Sequence, residues 1–420
     1  MDTAGKPRVA MIGLGYIGLP TAAVIAASGC RVVGVDISRE VVETLNRGQV
    51  HIEEADLDEL VARVVAEGSL TASLTVPEAD VFVIAVPTPT RGAEHAPDVS
   101  LVMNAAESIA PALRPGNVVI LESTSPVGTT EAMRDRLGAL RPDLRMPAAG
   151  SGEADISVAY CPERVLPGQI IRELVCNDRV IGGITPECSE RAREFYRCFV
   201  DGECLIADAR VAEMTKLVEN SFRDVNIAFA NELSIIADQM EIDVWQVIRL
   251  ANRHPRVNIL QPGPGVGGHC IAIDPWFIVH SAKEHARLIR TAREVNLAKT
   301  AHVIDRARRL VEQCDGTVAC LGLAFKPDID DFRESPALDV VRALAGEFGD
   351  RLMVCEPHME RLPEDLAASG LRLVDFDTAL DNCETVILLV DHTQFREVYR
   401  PRLAGKILYD TRGAWGDNDG

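Results

Sequence analysis

A glycine-rich turn near the start of the chain constrains the fold more than any other feature. The segment RVAMI has the pattern of an apolar strand, and GLGYIG places Gly13, Gly15 and Gly18 directly after it. A helical pattern then leads to a second apolar strand that ends at Asp36. Glycines at this spacing permit a tight turn and let the first amides of the helix approach a pyrophosphate. This order predicts a βαβ unit that binds a dinucleotide.

Asp36 indicates which dinucleotide the unit binds. A carboxylate about 20 residues after the glycines can accept hydrogen bonds from the adenosine ribose and would repel a 2′-phosphate. We therefore predict NAD rather than NADP, held by the three glycines, by Tyr16 and Ile17 of the same turn, and by Asp36. An FAD site and a βαβ turn without a nucleotide are the alternative interpretations.

The α/β pattern continues through VFVIAVPTPT and VVILESTSPVGTT, which predict further buried strands of a parallel sheet. Thr88 and Thr124 follow two of these strands, at the carboxyl ends where such sheets bind ligands. We include both among the predicted cofactor residues, although a threonine that merely ends a strand explains each of them taken singly.

A long helical tract begins near Ala209, and the alternation of strands and helices returns after Asp315. The predicted fold class is therefore α/β, in three domains. We expect a Rossmann-type NAD-binding domain at residues 1–208 and a helical domain with a glycine-rich loop and a connecting helix at 209–314. A smaller Rossmann-like domain is expected at 315–420.

Composition excludes several classes of protein. The chain has 63 acidic and 43 basic residues and a formal net charge of -20, which opposes nonspecific binding to nucleic acid or to an anionic membrane. No apolar run approaches the roughly 20 residues of a spanning helix, and the start of the chain shows no signal-peptide pattern, so we expect a cytoplasmic location. The 11 cysteines are dispersed without a C-x-x-C pair, which predicts reduced thiols and no metal site.

One cysteine stands apart from the others. Cys270 lies in GPGVGGHCIAIDP, between a glycine-rich approach and an aspartate. A metal ligand, a disulfide partner, a redox sensor, a buried filler and a nucleophile are its possible roles. His269 beside it would point the opposite way on an extended chain, and the sequence has no further ligands at metal spacing, which argues against zinc.

Several motifs carry a family resemblance along nearly the whole chain. They are GLGYIGLP, VPTP, ESTSPVGTT, YCPERVLPGQ, EMTKLVENSFRDVNIAFANE, NRHPRVNILQPGPGVGGHCIAIDP and GLAFKPDIDDFRESPA. In this order they resemble the UDP-glucose/GDP-mannose dehydrogenase family, and the motif that starts NRHPRVN is most similar to members that act on UDP-N-acetyl-D-mannosamine. The resemblance implies an NAD-binding domain, a helical central domain through which the chain forms a homodimer, and a domain that binds the UDP-sugar substrate.

The resemblance also implies a chemistry. The family oxidises the 6-hydroxymethyl group of a nucleotide sugar to a carboxylate by two hydride transfers to NAD, without releasing the aldehyde. In this pattern Cys270 forms a thiohemiacetal and then a thioester, and Glu163 assists hydrolysis of the thioester. Lys216 stabilises the alkoxide or acts as acid and base, Asn220 orients these groups, and Asp274 positions or deprotonates a water.

Binding of the UDP-sugar is assigned by the same resemblance. The implied contacts are Arg164, Val165, Lys216, Asn220, Arg223, His254, Arg256, Gly267 and Lys326, with Arg333 reaching the cofactor. Without the family, the spacing of Lys216, Asn220 and Arg223 on one helix face favours a solvated stripe, and Asp274 fits the start of a turn. The expected product is UDP-N-acetyl-D-mannosaminuronate, a precursor of surface polysaccharide.

Other functions fit parts of this pattern. The same oxidation of UDP-N-acetylglucosamine, UDP-glucose or GDP-mannose is the nearest alternative. A noncatalytic sensor of NAD or nucleotide sugars is a second, but a sensor has no use for a nucleophile together with a hydrolytic base. A redox-regulated scaffold that uses Cys270 is a third.

Overall fold

The computed structural model describes residues 5–92, 94–148, 150, 153–166 and 168–416. The chain divides into two compact units, Met1–Val218 and Glu219–Gly420, each with its own large sheet. Across the described ranges, none of the helices combines the length and the apolar character needed to cross a bilayer. The predicted α/β class is confirmed.

The first unit is built on parallel strands with helices between them. Its strands are β1 (Arg8–Ile12), β2 (Arg31–Val35), β3 (Leu70–Ser73), β4 (Val81–Ile84), β5 (Thr90–Arg91), β6 (Ala96–Pro97), β7 (Val118–Leu121), β8 (Ser157–Tyr160), β9 (Arg179–Gly183) and β10 (Cys204–Asp208). Its helices are α1 (Gly18–Ala27), α2 (Arg39–Asn46), α3 (Leu57–Ala66), α4 (Ser100–Ile109), α5 (Thr129–Leu140), α6 (Ile170–Cys176) and α7 (Pro186–Tyr196). The long helix α8 (Ala209–Gln239) begins in this unit and continues into the second.

The strand order of the main sheet is β10-β9-β8-β7-β4-β1-β2-β3. Both faces of the sheet are buried: Val9 and Met11 of β1 belong to one apolar core, and Ala10 and Ile12 belong to the other. Since successive side chains of a strand point to opposite faces, only a continuous apolar run such as RVAMI can fill both cores. The order reverses between β1 and β4, so their carboxyl ends form the crevice where open α/β sheets bind ligands.

One pairing differs from the predicted parallel arrangement. β9 runs antiparallel to β8, with Tyr160 opposite Gly182, whereas β8 is parallel to β7. The chain leaves β8, passes through a loop and the short helix α6, and re-enters the sheet from the same end. An apolar strand pattern carries no information on direction, so the sequence could not predict this reversal. It places the residues that follow β8 beside the start of β9.

The second unit has a five-stranded parallel sheet. Its strands are β11 (Val318–Leu321), β12 (Leu352–Cys355), β13 (Arg372–Leu373), β14 (Thr385–Leu388) and β15 (Ile407–Asp410), in the order β13-β12-β11-β14-β15. Its further helices are α9 (Val244–Ala251), α10 (Asp274–Ser281), α11 (Arg287–Gln313), α12 (Pro336–Phe348), α13 (Glu364–Ala367), α14 (Phe376–Asp381) and α15 (Thr393–Arg396).

A buried polar network joins α8 to α11 within this unit. Arg293 Nη1 donates to Asp224 Oδ1 at 2.7 Å, and Asn296 Nδ2 donates to the same oxygen at 2.7 Å. Burial raises the pKa of Asp224, and the Arg293 charge offsets part of that rise. Asn231 donates to Asn296 and accepts a hydrogen bond from the Gly263 amide at 3.0 Å, so the network also fixes the start of the loop that carries Cys270.

Candidate active site

The turn between β1 and α1 has the geometry that a pyrophosphate needs. Gly13 has a φ of +94°, and a Cβ there would collide with the carbonyl oxygen of Ala85 just after β4. Gly18 has no room for a side chain either, since its Cβ would meet the Gly13 carbonyl. A Cβ at Gly15, in contrast, would meet no atom within 4 Å, and within the described residues no side chain caps the first turn of α1. The turn therefore fits the phosphates of a dinucleotide.

Asp36 follows β2 and braces this turn. Its Oδ2 accepts a hydrogen bond from the Leu14 amide at 3.0 Å, and its Oδ1 accepts one from the Ser38 amide at 2.9 Å. The half-buried carboxylate is thereby held at the carboxyl edge of the sheet, where it can reach a ribose. Sequence reasoning missed Ile37, which is 98% exposed and is available to cover one face of an adenine ring. Its signal is an isoleucine directly after a strand-ending acid.

Other predicted cofactor residues lie at the same edge of the sheet. Tyr16 and Ile17 complete the glycine turn and are both half-buried. Thr88 Oγ1 donates to the carbonyl oxygen of Thr124 at 2.6 Å, which ties the loop after β4 to the loop after β7. The first unit therefore brings its predicted NAD residues, which lie in the four loops after β1, β2, β4 and β7, to neighbouring strand ends.

Glu163 lies in a buried group of charges after β8. Its Oε2 is 2.5 Å from Arg179 Nη1, and its Oε1 accepts a hydrogen bond from the Arg164 amide at 2.7 Å. Continuing the antiparallel register of β8 and β9 beyond Tyr160 brings Glu163 opposite Arg179, which explains the pair. Sequence reasoning missed Arg179, whose signal is a charged residue at the start of the apolar strand RVIGG.

Arg164 and Val165 follow Glu163 in the same loop. The Arg164 guanidinium donates to the carbonyl oxygen of Asp178, and Val165 packs against the apolar core of the first unit. Both side chains therefore support the loop, and their predicted contact with the sugar would be made in addition to this role.

Lys216 and Asn220 are buried on α8, whereas Arg223 is exposed, although helical spacing puts all three on one face. Spacing fixes the direction of a side chain, but the packing around each turn of α8 decides whether it is covered. The predicted stripe of three polar residues is therefore enclosed at two positions and open at the third.

The second unit brings together Asn220, Asp274 and Cys270. Asn220 Nδ2 donates to Asp274 Oδ2 at 2.5 Å, and both side chains are buried. Asp274 begins α10, and its amide donates to the Cys270 carbonyl oxygen at 2.8 Å. Cys270 itself is exposed. An accessible thiol therefore precedes, by one helical turn, a carboxylate that a neighbouring amide holds in place.

The glycines before Cys270 pack closely against the segment of residues 325–336. Gly268 has a φ of +81°, and a Cβ there would come within 2.9 Å of the Phe325 ring. At Gly267 a Cβ would collide with the carbonyl oxygen of Glu334. The Gly268 amide also donates to the carbonyl oxygen of Arg333 at 3.2 Å. These glycines thus have a packing role besides any contact of Gly267 with substrate.

Arg333 and Lys326 occupy this same segment. The exposed Arg333 guanidinium forms two hydrogen bonds to Asp331, at 2.8 and 2.5 Å. Burial alone would raise the pKa of the Asp331 carboxyl, but the hydrogen bonds from Arg333 outweigh it and lower that pKa. Partial burial and the Arg333 charge lower the pKa of His269, which favours its neutral imidazole. Lys326 is half-buried on the same loop.

A buried acid braces the loop that carries Lys326. Glu356, directly after β12, accepts hydrogen bonds from the amides of Leu323 and Ala324 at 2.6 and 3.1 Å and lies 3.1 Å from His392 Nε2. His392 Nδ1 accepts from the Asp328 amide at 2.9 Å. Both ring nitrogens of His392 therefore have hydrogen-bond partners within the protein.

His254 and Arg256 lie in the exposed turn that follows α9. The Arg256 amide donates to His254 Nδ1 at 3.3 Å, so the turn is held by a local hydrogen bond. Both side chains remain accessible to a ligand.

Comparison with known families accounts for this arrangement. The NAD binding domain of the UDP-glucose/GDP-mannose dehydrogenase family matches residues 7–200, its central domain matches 210–298, and its UDP binding domain matches 319–417. The chain belongs to this family. The predicted NAD cofactor and the predicted oxidoreductase class are thereby confirmed.

Individual relatives are similar along nearly their whole length. An NDP-N-acetyl-D-galactosaminuronic acid dehydrogenase of Ralstonia nicotianae is 54% identical over 97% of this chain and 96% of the relative. A UDP-N-acetyl-D-mannosamine dehydrogenase of Escherichia coli K12 is 53% identical over 97% of this chain and 99% of the relative. A solved UDP-N-acetyl-mannosamine dehydrogenase from Staphylococcus aureus superposes with a TM-score of 0.84 at 41% identity, covering 97% of this chain and 95% of that one.

Proposed function

We propose that this chain oxidises the 6-hydroxymethyl group of UDP-N-acetyl-D-mannosamine to a carboxylate, giving a precursor of surface polysaccharide. The observation that carries the chemistry is the exposed Cys270 thiol one turn before the hydrogen-bonded pair of Asp274 and Asn220. The choice of sugar is supported by relatives of that name that are 53% identical over 97% of this chain.

The first oxidation converts the alcohol to an aldehyde. When bound, NAD accepts a hydride from the sugar C6 in each of two oxidations. Lys216 stabilises the alkoxide that forms as the hydroxyl proton passes to a water held by Asp274. Asn220 keeps the Asp274 carboxylate in one orientation through its hydrogen bond of 2.5 Å. The residue roles follow the family pattern.

The second oxidation requires a covalent bond to the enzyme. The Cys270 thiolate adds to the aldehyde carbon, and the resulting thiohemiacetal loses a hydride and a proton to become a thioester. Water then attacks the thioester carbonyl while Glu163 accepts its proton. The C–S bond breaks, the thiol is restored, and the sugar carboxylate is released.

The stoichiometry of the reaction tests this proposal. We expect two NADH per UDP-N-acetyl-D-mannosamine consumed, measured by absorbance with the product identified by mass spectrometry. Cys270→Ser should lower the turnover number on the order of 10³-fold or more, because the serine hydroxyl is a far weaker nucleophile. Cys176→Ser, at another exposed cysteine, is the matched control and should leave turnover unchanged. One NADH per sugar, or full activity of Cys270→Ser, would refute the covalent mechanism.

A second sugar is favoured by the relative from Ralstonia nicotianae, which is 54% identical and is named an NDP-N-acetyl-D-galactosaminuronic acid dehydrogenase. The same chemistry on UDP-N-acetyl-D-galactosamine is therefore the other candidate. The ratio of kcat/KM for the two sugars decides between them, since each candidate requires the higher value for its own substrate.

We further propose a homodimer formed through α8. Phe222, Phe229 and Ile236 recur at helical spacing on α8 and are 68%, 51% and 45% exposed, and Met240, directly after the helix, is 63% exposed. A row of large apolar side chains on one helix is typical of a protein interface.

The family models support our division of the chain at residues 1–208, 209–314 and 315–420. A cytoplasmic location is supported by the cysteines, because all 11 are described and none forms a disulfide.

A further inference from the structure

Glu122 is a buried acid that the proposed chemistry does not use. It follows β7 directly, is 3% exposed, and its Oε1 accepts a hydrogen bond from the Tyr196 hydroxyl at 2.7 Å. Its Oε2 has no hydrogen-bond partner in the described part of the chain. A buried carboxylate with an unpaired oxygen is costly unless it is neutral or a nearby cation compensates its charge.

Arg179 supplies the compensating charge, but it serves two acids. The groups that face Glu122 are Cys161 and Glu163 after β8, Arg179 at the start of β9, and Tyr196 on α7. Arg179 is in direct contact with Glu163, at 2.5 Å. The cluster is therefore neutral when Glu122 is protonated, and it carries one net negative charge when Glu122 is ionised.

Glu122 loses its proton near neutral pH. Burial, with a contribution from the charge of Glu163, raises the pKa of Glu122 to about 7, although Arg179 and Tyr196 oppose the rise. Small changes of pH near neutrality thus alter the net charge around Glu163.

We propose that Glu122 is a positioning residue that acts through Arg179 to set the proton affinity of Glu163 during thioester hydrolysis. The inference rests on the proposed function, since it needs Glu163 as the acceptor of the proton from water. Water adds to the thioester carbonyl, its proton moves to Glu163, and the C–S bond to Cys270 breaks with the electron pair leaving on sulfur. No electron is transferred to or from a cofactor in this step.

The charge of Glu122 decides how easily this proton is accepted. With ionised Glu122, protonation of Glu163 takes the buried cluster from one negative charge to neutral. With protonated Glu122, the same event takes the cluster from neutral to one positive charge, which burial disfavours. Hydrolysis therefore becomes faster as pH rises through the titration of Glu122.

Glu122→Gln tests the inference because glutamine is neutral at every pH. We expect its hydrolysis rate at about pH 8 to fall at least tenfold, to the rate of the unmodified protein at about pH 6, with a flat profile between. The measurement mixes enzyme with NAD and UDP-N-acetyl-D-mannosamine, follows the initial burst of NADH, and determines the acyl-enzyme by intact-mass spectrometry after quenching. The burst should be unchanged while the acyl-enzyme accumulates.

Two further variants make the result specific. Tyr196→Phe keeps the aromatic ring, whose centroid lies 5.4 Å from Arg179 Cζ, but removes the hydrogen bond to Glu122. Because that bond favours the ionised acid, its loss should move the inflection of the rate to higher pH by up to about one unit. Glu131→Gln changes a partly exposed acid of the same unit, which is paired with Arg210, and should leave the profile unaltered.

The possible outcomes separate the two proposals. An acyl-enzyme in the unmodified protein, together with an unchanged pH profile in both Glu122→Gln and Tyr196→Phe, overturns the inference and leaves the proposed function intact. If no acyl-enzyme forms in the unmodified protein at any pH, the covalent mechanism is wrong and the inference is wrong with it. Should Glu122→Gln fail to fold, the shift in Tyr196→Phe alone decides.

Discussion

At the scale of single residues, the buried acids of the first unit connect catalysis to stability. A carboxyl whose pKa is higher in the folded chain than in the unfolded chain binds its proton more tightly when folded. The ordinary pKa of a glutamate is 4.5, and burial raises that of Glu122 to about 7. Between these values the unfolded chain has lost the proton while the folded chain retains it. Glu122 therefore makes the free energy of unfolding fall as pH rises through this window.

Glu122→Gln should remove that dependence. The difference in pKa corresponds to about 3 kcal/mol at pH values above the window and to nothing below it. Relative to the unmodified protein, the variant should gain stability at about pH 8 and show little change at about pH 4.5. Urea unfolding of both proteins at the two pH values measures the difference. Parallel pH dependence in the two proteins would show that Glu122 ionises normally when folded.

The sequence predicts site residues that lie in local motifs, but it does not predict which residues contact one another across the sheet. Local spacing indicated Asp36, which ends an apolar strand, and singled out Cys270 after its glycines, whereas the roles of Cys270 and Asp274 came from the family resemblance. Glu122 opens the motif ESTSPVGTT and Arg179 belongs to none, and that the two lie in one charged cluster depends on which strands are neighbours. The partner of Glu163 follows only once β9 is known to run antiparallel to β8. Long-range pairing is thus the information that local patterns lack.

At the scale of elements, the turn between β1 and α1 depends on the backbone conformation of Gly13. A residue with a Cβ at a φ of +94° pays roughly 1–2 kcal/mol of strain, and here its Cβ would also collide with Ala85. Gly13→Ala should therefore displace the loop and weaken NAD binding about tenfold or more. Calorimetric titration with NAD measures the affinity.

Gly116→Ala distinguishes the effect of backbone strain from the effect of a place in the nucleotide turn. Gly116 has nearly the same φ, +95°, but nothing lies within 4 Å of its Cβ position and it is outside the nucleotide turn. This variant should lose a similar stability from backbone strain and keep its affinity for NAD. An equal loss of affinity in both variants would mean that general destabilisation, rather than the shape of the turn, is responsible.

The bounds of the long helices could be predicted from the sequence, and the direction of β9 could not. α8 and α11 span 31 and 27 residues of helical periodicity, so their existence follows from local pattern. β9 is a five-residue apolar run whose pairing depends on the path of the loop before it. The glycines near Cys270 were expected to admit a ligand, but their neighbours 55 or more residues away in sequence show that they also allow close packing.

At the scale of the whole molecule, the exposed apolar side chains of α8 predict how the chain associates. Exposing Phe222, Phe229 and Ile236 to water is unfavourable, and a second copy of the same helix face can cover them. A charge in the middle of such an interface would be buried without a partner, so Phe229→Glu should weaken the dimer by about a hundredfold or more. Light scattering after size exclusion distinguishes the 45.6 kDa monomer from a dimer.

Tyr399→Glu provides the matched control for that experiment. Tyr399 is 72% exposed but lies away from α8 in the sequence, beyond β14, so its charge should leave the association unchanged. If a surface charge alone were enough to separate the copies, both variants would become monomeric. If Phe229→Glu remained dimeric while the unmodified protein was dimeric, a different surface would have to form the interface. An unmodified protein that is monomeric at micromolar concentration would contradict the dimer itself, since burial of several large apolar side chains predicts tighter association.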